Sequence, residues 1–232
     1  MFFWHSINYI ENMIEFKKGN IFSTQCDVIV NAVNCVGVMG AGIALEFKIR
    51  FPEMFKKYKE FCDNGSLDIG KLWIYSISNK KFGFNRILSF PTKKDWKNPS
   101  KEEFIIEGLK KFVQCYKQKN ISSIAFPYLG TGKGGISQKT ILNIMNQYLY
   151  DLPIKIEIWE YDPFESDEFF LKFKKTIINS ELSNLKKLSG VKEDKLTILK
   201  DSLANKPYYS FSELSKIKGI TVSTLEKLLN CT

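Results

Sequence analysis

The sequence is poor in the residues that build metal centres and disulfide frameworks. Its 232 residues include a single histidine, His5, and five cysteines that form no CxxC or CxxxC pair. Such scattered cysteines predict neither a zinc site nor a set of disulfides, and they favour a reducing compartment. Because the one histidine is expected on the surface, we do not expect Ser-His-Asp or Cys-His catalysis.

Long apolar runs are also missing. No stretch reaches the roughly 18 consecutive apolar residues of a membrane span. The opening segment MFFWHSINYIEN has neither the basic start nor the small-residue cleavage site of a signal peptide. We therefore expect a cytoplasmic protein that does not enter the membrane. Residues 1–13 are interpreted as an N-terminal extension, because Met13 stands directly before IEFKKGNIF and would serve as a natural start.

Acidic residues are outnumbered by basic ones. Lys and Arg total 34 and Asp and Glu total 25, which gives a formal net charge of +9. A surplus of this size favours partners that carry phosphate, such as a nucleic acid or a nucleotide. A basic surface that serves only solubility is an equally good explanation. The surplus is spread over both halves of the chain, so charge does not locate a site.

Short β-rich segments alternate with helical periods between residues 14 and 159. This pattern is typical of βαβ units around a buried, largely parallel sheet. The predicted strands are 14–18, 28–33, 72–77, 86–91, 123–127 and 154–159, and the predicted helices are 42–62, 101–118 and 137–149. We expect a three-layer α/β/α domain with a mixed, largely parallel central sheet over residues 14–164.

The β-rich segments stop after the sequence EYDPFESDE, and an all-helical C-terminal region is predicted over residues 165–232. Its last stretch spaces apolar residues as two short helices around Gly219. Such a pair is the common core of helix-turn-helix and helix-hairpin-helix modules, both of which bind DNA. A helical dimerisation or lid element is the alternative of equal weight.

Unusual sequences follow three of the predicted strands. Ligands of open α/β sheets bind beyond the carboxyl ends of the strands, where this chain has NCVGVMGAGIA, TKKDWKNPS and YLGTGKGGIS. Two of these segments are rich in glycine and lead into a helix, so their backbone amides suit a diphosphate without a metal ion. Neither a P-loop nor a dinucleotide fingerprint is complete: GSLDIGKL lacks the Ser or Thr that binds magnesium, and GAGIAL lacks the third glycine.

Four segments together resemble the macrodomain, an ADP-ribose-binding family. They are KKGNIF (17–22), VIVNAVNCVGVMGAGIALEFKIRFP (28–52), FPTKKDW (90–96) and FPYLGTGKGG (126–135). The resemblance covers residues 14 to about 164 and is strongest to the branch whose members act as antitoxins by removing ADP-ribose from thymidine in DNA, and to the related terminal ADP-ribose glycohydrolases.

The resemblance implies a hydrolase of N-glycosidic bonds with no cofactor and no metal. ADP-ribose or ADP-ribosylated DNA would be the ligand, and a DNA ADP-ribosyltransferase toxin would be the partner. Two alternatives stay open at this point. One is a non-catalytic ADP-ribose reader with the helical tail as an adaptor, and the other is a hydrolase of small ADP-ribose derivatives such as the 1''-phosphate.

The site is also implied by the resemblance, residue by residue. Asn20 would hydrogen-bond the adenine, Asn34 would hold the distal ribose, and Tyr161 would either stack on the adenine or be an ordinary boundary aromatic. A first glycine loop, residues 37–43, and a second glycine loop, residues 129–135, would wrap the diphosphate. The residues expected to contact ADP-ribose are Asn20, Ile21, Asn34, Gly37, Val38, Met39, Gly40, Ala41, Gly42, Ile43, Leu129, Gly130, Thr131, Gly132, Lys133, Gly134, Gly135 and Tyr161.

Lys93 is the catalytic residue that the resemblance implies. In this branch the Lys after FPT is associated with attack on, or stabilisation at, the anomeric carbon of the distal ribose. Attack requires a neutral amine, so the pKa of Lys93 must be lowered from its usual ~10.4. Burial at the sheet edge and the like charge of Lys94 are both expected to lower it.

The acidic residues of related hydrolases are missing from this chain. The terminal glycohydrolases carry an acid at the position that matches Gly134, and the protein-directed hydrolases carry an Asp where this chain has Met39. Only Asp95 lies close to Lys93 in the sequence. The missing acids favour the DNA-directed branch, and they leave the general acid unassigned.

Overall fold

Six strands form the centre of the fold in a computed structural model that describes residues 13–78 and 81–229. The predictions for residues 1–12, His5 among them, lie outside the described residues. The strands are β1 (Ile14–Gly19), β2 (Val28–Asn34), β3 (Trp73–Ser76), β4 (Arg86–Lys93), β5 (Ser123–Pro127) and β6 (Lys155–Tyr161). All six predicted strands are therefore confirmed, with ends that differ by two residues at most.

The strands join one sheet in the order β1-β6-β5-β2-β4-β3. Every neighbouring pair is parallel except β3 with β4, which is antiparallel. Gly19 at the end of β1 pairs with Tyr161 at the end of β6, and Asn34 at the end of β2 pairs with Lys93 at the end of β4. The carboxyl ends of the five parallel strands consequently meet at one edge of the sheet, which we call the carboxyl edge.

Helices cover both faces of the sheet. They are α1 (Gly42–Arg50), α2 (Pro52–Asp63), α3 (Glu102–Cys115) and α4 (Gln138–Leu149). Buried side chains of α1 and α2, such as Phe47 and Met54, share one core with the first face, and side chains of α3 and α4, such as Phe112 and Met145, share a second core with the other face. The predicted three-layer α/β/α architecture is confirmed.

The prediction of one continuous helix over residues 42–62 is wrong, because the chain forms α1 and α2 there. The break falls at Phe51, whose φ of −135° and ψ of 67° are not helical. Proline disfavours helical geometry in the residue before it, and its missing amide hydrogen is tolerated in the first turn of a new helix. Pro52 therefore ends α1 and starts α2.

The C-terminal region is helical throughout its described part. It contains α5 (Glu168–Asn179), α6 (Leu182–Ser189), α7 (Glu193–Asn205), α8 (Phe211–Leu214) and α9 (Val222–Leu229). The predicted short pair is α8 and α9, and Gly219 between them has a φ of +93°. Their apolar side chains share a core with Leu45 and Ile49 of α1. The predicted DNA-binding, dimerisation or lid role of the pair stays a prediction.

In residues 13–78 and 81–229, no helix is both long enough and apolar enough to cross a bilayer. Within the same ranges, no three side chains of His, Cys, Asp or Glu come together as a group that could hold a metal ion.

Candidate functional site

The carboxyl edge brings together the residues that were predicted from separate parts of the sequence. Asn20 follows β1, Tyr161 ends β6, and Lys93 ends β4, while the two glycine loops follow β2 and β5. From β1 to β4 the edge crosses four inter-strand spacings, about 19 Å in all. The predicted adenine contacts therefore lie at one end of the edge and Lys93 lies towards the other, with the glycine loops between them.

Asn34 organises the start of the first glycine loop. Its Nδ2 donates to the carbonyl of Val38 at 2.5 Å, and its Oδ1 accepts from the amides of Val36 and Val38 at 3.1 and 3.2 Å. Tyr58 Oη donates to the backbone carbonyl of Asn34 at 2.8 Å. The side chain thus shapes the loop, and its predicted contact with a ribose depends on the second Nδ2 hydrogen.

The first glycine loop presents backbone rather than side chains. Gly37 has a φ of +75°, and a Cβ on it would lie 3.2 Å from Cγ of Lys59, so this tight turn requires glycine. Ala41 caps α1 without a side-chain hydrogen bond, which leaves the first amides of the helix open to an anion. The side chain of Met39 is buried in the core, 3.9 Å from Nδ2 of Asn31. Met39 therefore contributes only its backbone to the loop.

The second glycine loop packs closely against Ser100. The amide of Ser100 donates to the carbonyl of Gly134 at 2.9 Å, and a Cβ on Gly134 would lie 2.6 Å from Ser100 Oγ. Leu129 at the start of the loop is fully buried. A side chain at position 134 would collide with Ser100, so the loop as folded does not accommodate the acid that the resemblance places at this position in the terminal glycohydrolases.

Lys93 reaches across to the second glycine loop. Its ammonium donates to the carbonyl of Lys133 at 2.5 Å, and burial lowers the pKa of Lys93. The expected contribution of Lys94 is not found, because its ammonium pairs with the carboxylate of Asp68. Asp95 accepts from the amide of Lys97 at 2.9 Å and so belongs to the turn that follows β4.

The β1 and β6 end of the carboxyl edge, where the adenine contacts are predicted, is hydrogen-bonded to the chain that leads into the helical tail. Asn20 Oδ1 accepts from the amide of Phe22 at 3.1 Å, and its Nδ2 donates to the carbonyl of Glu165 and to Oδ2 of Asp167, both at 3.3 Å. Ile21 is buried, whereas Tyr161 is exposed. Although Tyr161 is exposed, the protein removes part of the water around its hydroxyl, and this desolvation, followed by the nearby carboxylate of Glu213 in α8, raises the pKa of Tyr161.

The sequence analysis missed a buried ion-pair network behind this end. Arg50 of α1 donates to both carboxylate oxygens of Asp167 at 2.6 and 3.0 Å and pairs with Glu46 at 3.2 Å. Glu46 also accepts from the amide of Ser212 at the start of α8. A signal was present in the sequence, because Glu46 and Arg50 stand four residues apart on a helix that is otherwise apolar on its buried face.

A three-layer α/β domain with two glycine loops at the carboxyl ends of parallel strands has the architecture of many nucleotide-binding proteins. The Macro domain family matches residues 30–145. The chain belongs to this family.

Three proteins illustrate which members of the family this chain is similar to. DNA ADP-ribosyl glycohydrolase of Thermus aquaticus is 37% identical over 157 residues, which are 66% of this chain and 42% of that protein. The macrodomain of Mycobacterium tuberculosis DarG is 38% identical with a TM-score of 0.58, over 64% of this chain and 98% of that structure. Thermosipho africanus DarTG in complex with ADP-ribose is 31% identical with a TM-score of 0.61, over 66% of this chain and 42% of that one.

A curated Thermosipho africanus protein named DNA ADP-ribosyl transferase–DNA ADP-ribosyl glycohydrolase fusion protein is 32% identical to this chain, which covers 41% of its length. The chain spans about two fifths of the length of these curated relatives.

Proposed function

We propose that this protein is an ADP-ribosyl glycohydrolase that removes ADP-ribose from thymidine bases of DNA. The observation that carries the proposal is the half-buried Lys93, held against the second glycine loop at the carboxyl edge. The likeness of the chain to relatives named DNA ADP-ribosyl glycohydrolase and DarG supports the proposed reaction and substrate. The net charge of +9 supports a polyanionic substrate.

The proposal places ADP-ribose along the carboxyl edge. Asn20 and Tyr161 take the adenine, the open amides of α1 and the second glycine loop take the diphosphate, and Asn34 takes the distal ribose. This arrangement brings the anomeric carbon of that ribose towards Lys93, because Asn34 and Lys93 are paired on neighbouring strands. A DNA ADP-ribosyltransferase toxin is the proposed partner, supported by the fused transferase of the Thermosipho africanus relative, and the cytoplasm is the proposed location.

The proposed chemistry uses Lys93 as a nucleophile. Its neutral amine forms a bond to the anomeric carbon while the bond from that carbon to the base nitrogen breaks, and the electron pair leaves with the base. The attacking amine passes a proton to the departing base. In the second step a water oxygen bonds to the anomeric carbon while the bond from that carbon to Lys93 Nζ breaks, and a proton of that water returns to Nζ, so that ADP-ribose is released and the neutral amine is restored. Burial supports this role because it favours the neutral form of an amine.

The test compares the wild type with Lys93→Ala on a single-stranded oligonucleotide that carries ADP-ribosylated thymidine. We expect Lys93→Ala to release ADP-ribose at least about 100-fold more slowly and to bind free ADP-ribose with unchanged affinity. Lys110→Ala, which removes an exposed lysine from α3, is the matched control and is expected to act like the wild type. Undiminished release by Lys93→Ala would contradict the role of the lysine.

Two further arms separate the alternatives. ADP-ribosylated protein and ADP-ribose 1''-phosphate are offered in parallel, and a wild type that binds ADP-ribose but releases it from no substrate would be a reader module.

The pH dependence of release separates the two possible roles of Lys93, nucleophile and stabilising cation. If Lys93 is a nucleophile, kcat/KM rises with pH and reaches a plateau above the pKa of Lys93, which burial lowers from its ordinary value. If its ammonium only stabilises charge, kcat/KM falls as the pH rises through that pKa.

A further inference from the structure

Trp96 is a large exposed aromatic side chain beside the proposed catalytic lysine. It is 52% exposed and lies in the segment 94–99, which we call the Trp96 loop and which starts directly after Lys93. Three residues of chain span at most about 11 Å, so Trp96 lies close to the Lys93 end of the carboxyl edge. The proposed roles of the glycine loops and of Asn20, Asn34 and Tyr161 leave this side chain unused.

The Trp96 loop is held at both ends by the site. The amide of Cys35, just before the first glycine loop, donates to the carbonyl of Lys94 at 3.0 Å. Directly after the other end of the loop, the amide of Ser100 donates to the carbonyl of Gly134 in the second glycine loop at 2.9 Å. Trp96 is therefore presented by a loop of fixed position, and little ordering is needed before it binds a ligand.

Lysines lie in the Trp96 loop and on the segments next to it, together with the carboxylate of Asp95. Lys97 Nζ lies 5.6 Å from the centroid of the Trp96 ring, and Lys101 and Lys133 are exposed on the neighbouring segments. None of these three lysines forms an ion pair with another residue in the described part of the chain. An exposed aromatic ring among uncompensated lysines is the combination that binds single-stranded nucleic acid, since bases stack on the ring and phosphates contact the cations.

A cavity of about 880 Å³ opens where the Trp96 loop meets the second glycine loop, and Pro99, Lys101 and Gly135 are among the residues that line it. Neither Trp96 nor Lys93 lines this cavity, which begins three residues after Trp96 at Pro99. Glu102 and Glu103 also line the cavity, and their carboxylates favour an uncharged base over a phosphate inside it.

We propose that Trp96 stacks on a base that flanks the modified thymidine and thereby helps to bind the DNA strand on that side of the site. The inference rests on the proposed glycohydrolase function and adds the residue that contacts the DNA next to the modified thymidine. The adenine of ADP-ribose is not the occupant, because its proposed contacts lie at the β1 and β6 end of the edge, several strands away.

The experiment uses two substrates that differ only in the flanking DNA. One is a single-stranded oligonucleotide with ADP-ribosylated thymidine, and the other is the ADP-ribosylated thymidine nucleoside. We expect Trp96→Ala to raise KM for the oligonucleotide about 10-fold and to leave the nucleoside reaction unchanged. Trp96→Phe keeps an aromatic face and is expected to retain most of the affinity.

Tyr150→Ala is the matched control. Tyr150 is 51% exposed, but it follows the C-terminal end of α4, far from the second glycine loop that precedes the helix. We expect this variant to match the wild type on both substrates. Equal KM values of Trp96→Ala and the wild type for the oligonucleotide would overturn the inference, and so would an equal loss on both substrates.

A binding measurement keeps the inference separate from the proposed function. If the wild type releases no ADP-ribose from DNA, the proposed function fails, and the inference is then judged on an unmodified, fluorescently labelled single-stranded oligonucleotide. We expect Trp96→Ala to weaken its binding about 10-fold at constant salt. No binding by the wild type, or equal binding by the variant, would overturn the inference.

Discussion

At the residue scale, the position of the second glycine loop depends on the close approach of Gly134 to Ser100. A Cβ at position 134 would lie 2.6 Å from Ser100 Oγ and 3.2 Å from Ser100 Cβ. We expect Gly134→Ala to displace the loop and to lower the free energy of unfolding by about 1–3 kcal/mol, as overpacking of a buried site does. Urea denaturation measures this loss, and titration with ADP-ribose measures the accompanying loss of affinity.

A second substitution tests the cause of that loss. Ser100→Gly removes the side chain that the new methyl group would meet, so the double variant is expected to recover most of the stability and the ADP-ribose affinity. If Gly134→Ala is as stable as the wild type, or if the double variant recovers nothing, the contact with Ser100 does not determine the loop position.

At the element scale, α1 joins the macrodomain to the helical tail. Its Arg50 is buried, pairs with Asp167 at the start of α5, and stacks its guanidinium 4.2 Å from the ring centroid of Phe22 and 4.7 Å from that of Phe211. We expect Arg50→Met to lower the free energy of unfolding by about 3–5 kcal/mol, because two buried carboxylates would lose their cation. Thermal or urea denaturation measures the effect.

The control for Arg50→Met is Lys59→Met on α2. Lys59 pairs with Asp63 at 2.7 Å, but both side chains are more than half exposed, so its loss is expected to change stability by less than about 1 kcal/mol. Because Asp167 also accepts from Asn20, Arg50→Met should weaken ADP-ribose binding as well. Equal stability of the two variants would show that the network is not needed to join the tail to the macrodomain.

At the scale of the whole molecule, the buried carboxyl group of Glu157 in β6 makes the stability of the folded protein depend on pH in acid. Burial opposes ionisation of this carboxyl group, but hydrogen bonds from Lys17, Thr24 and Trp159 at 2.6–2.9 Å outweigh it and lower the pKa of Glu157 to about 2. A lowered pKa stabilises the folded state fully above the unfolded value near 4.5, and this contribution is lost as the pH falls towards 2.

We therefore expect the wild type to lose on the order of 2–3 kcal/mol through this group between about pH 5 and pH 2. Glu157→Gln should be less stable than the wild type at pH 7, and the difference should shrink as the pH falls. Urea midpoints at several pH values measure it. Glu103→Gln, an exposed carboxyl on α3, should follow the wild type at every pH, and a constant gap for Glu157→Gln would contradict the assignment.

The sequence by itself determined the architecture and indicated where the candidate site lies. Alternating β-rich and helical periods are local properties, and they placed all six strands and the all-helical tail. The position of the glycine loops also followed, because parallel strands end at a common edge. The break at Phe51 also has a local signal, because Pro52 disfavours helical geometry in the residue before it. The apolar spacing continues across the break, however, and by itself predicts a single helix.

Only the tertiary structure decided which partners the site residues have. Arg50 and Asp167 are 117 residues apart in the sequence, and Asn20 and Asp167 are 147 apart. Gly134 and Ser100 likewise meet only after the sheet has formed. Periodicity reports which face of an element is buried, but it carries no information on contacts between distant segments. The burial of Lys93, the packing at Gly134 and the link from Asn20 to the tail therefore depend on the folded chain as a whole.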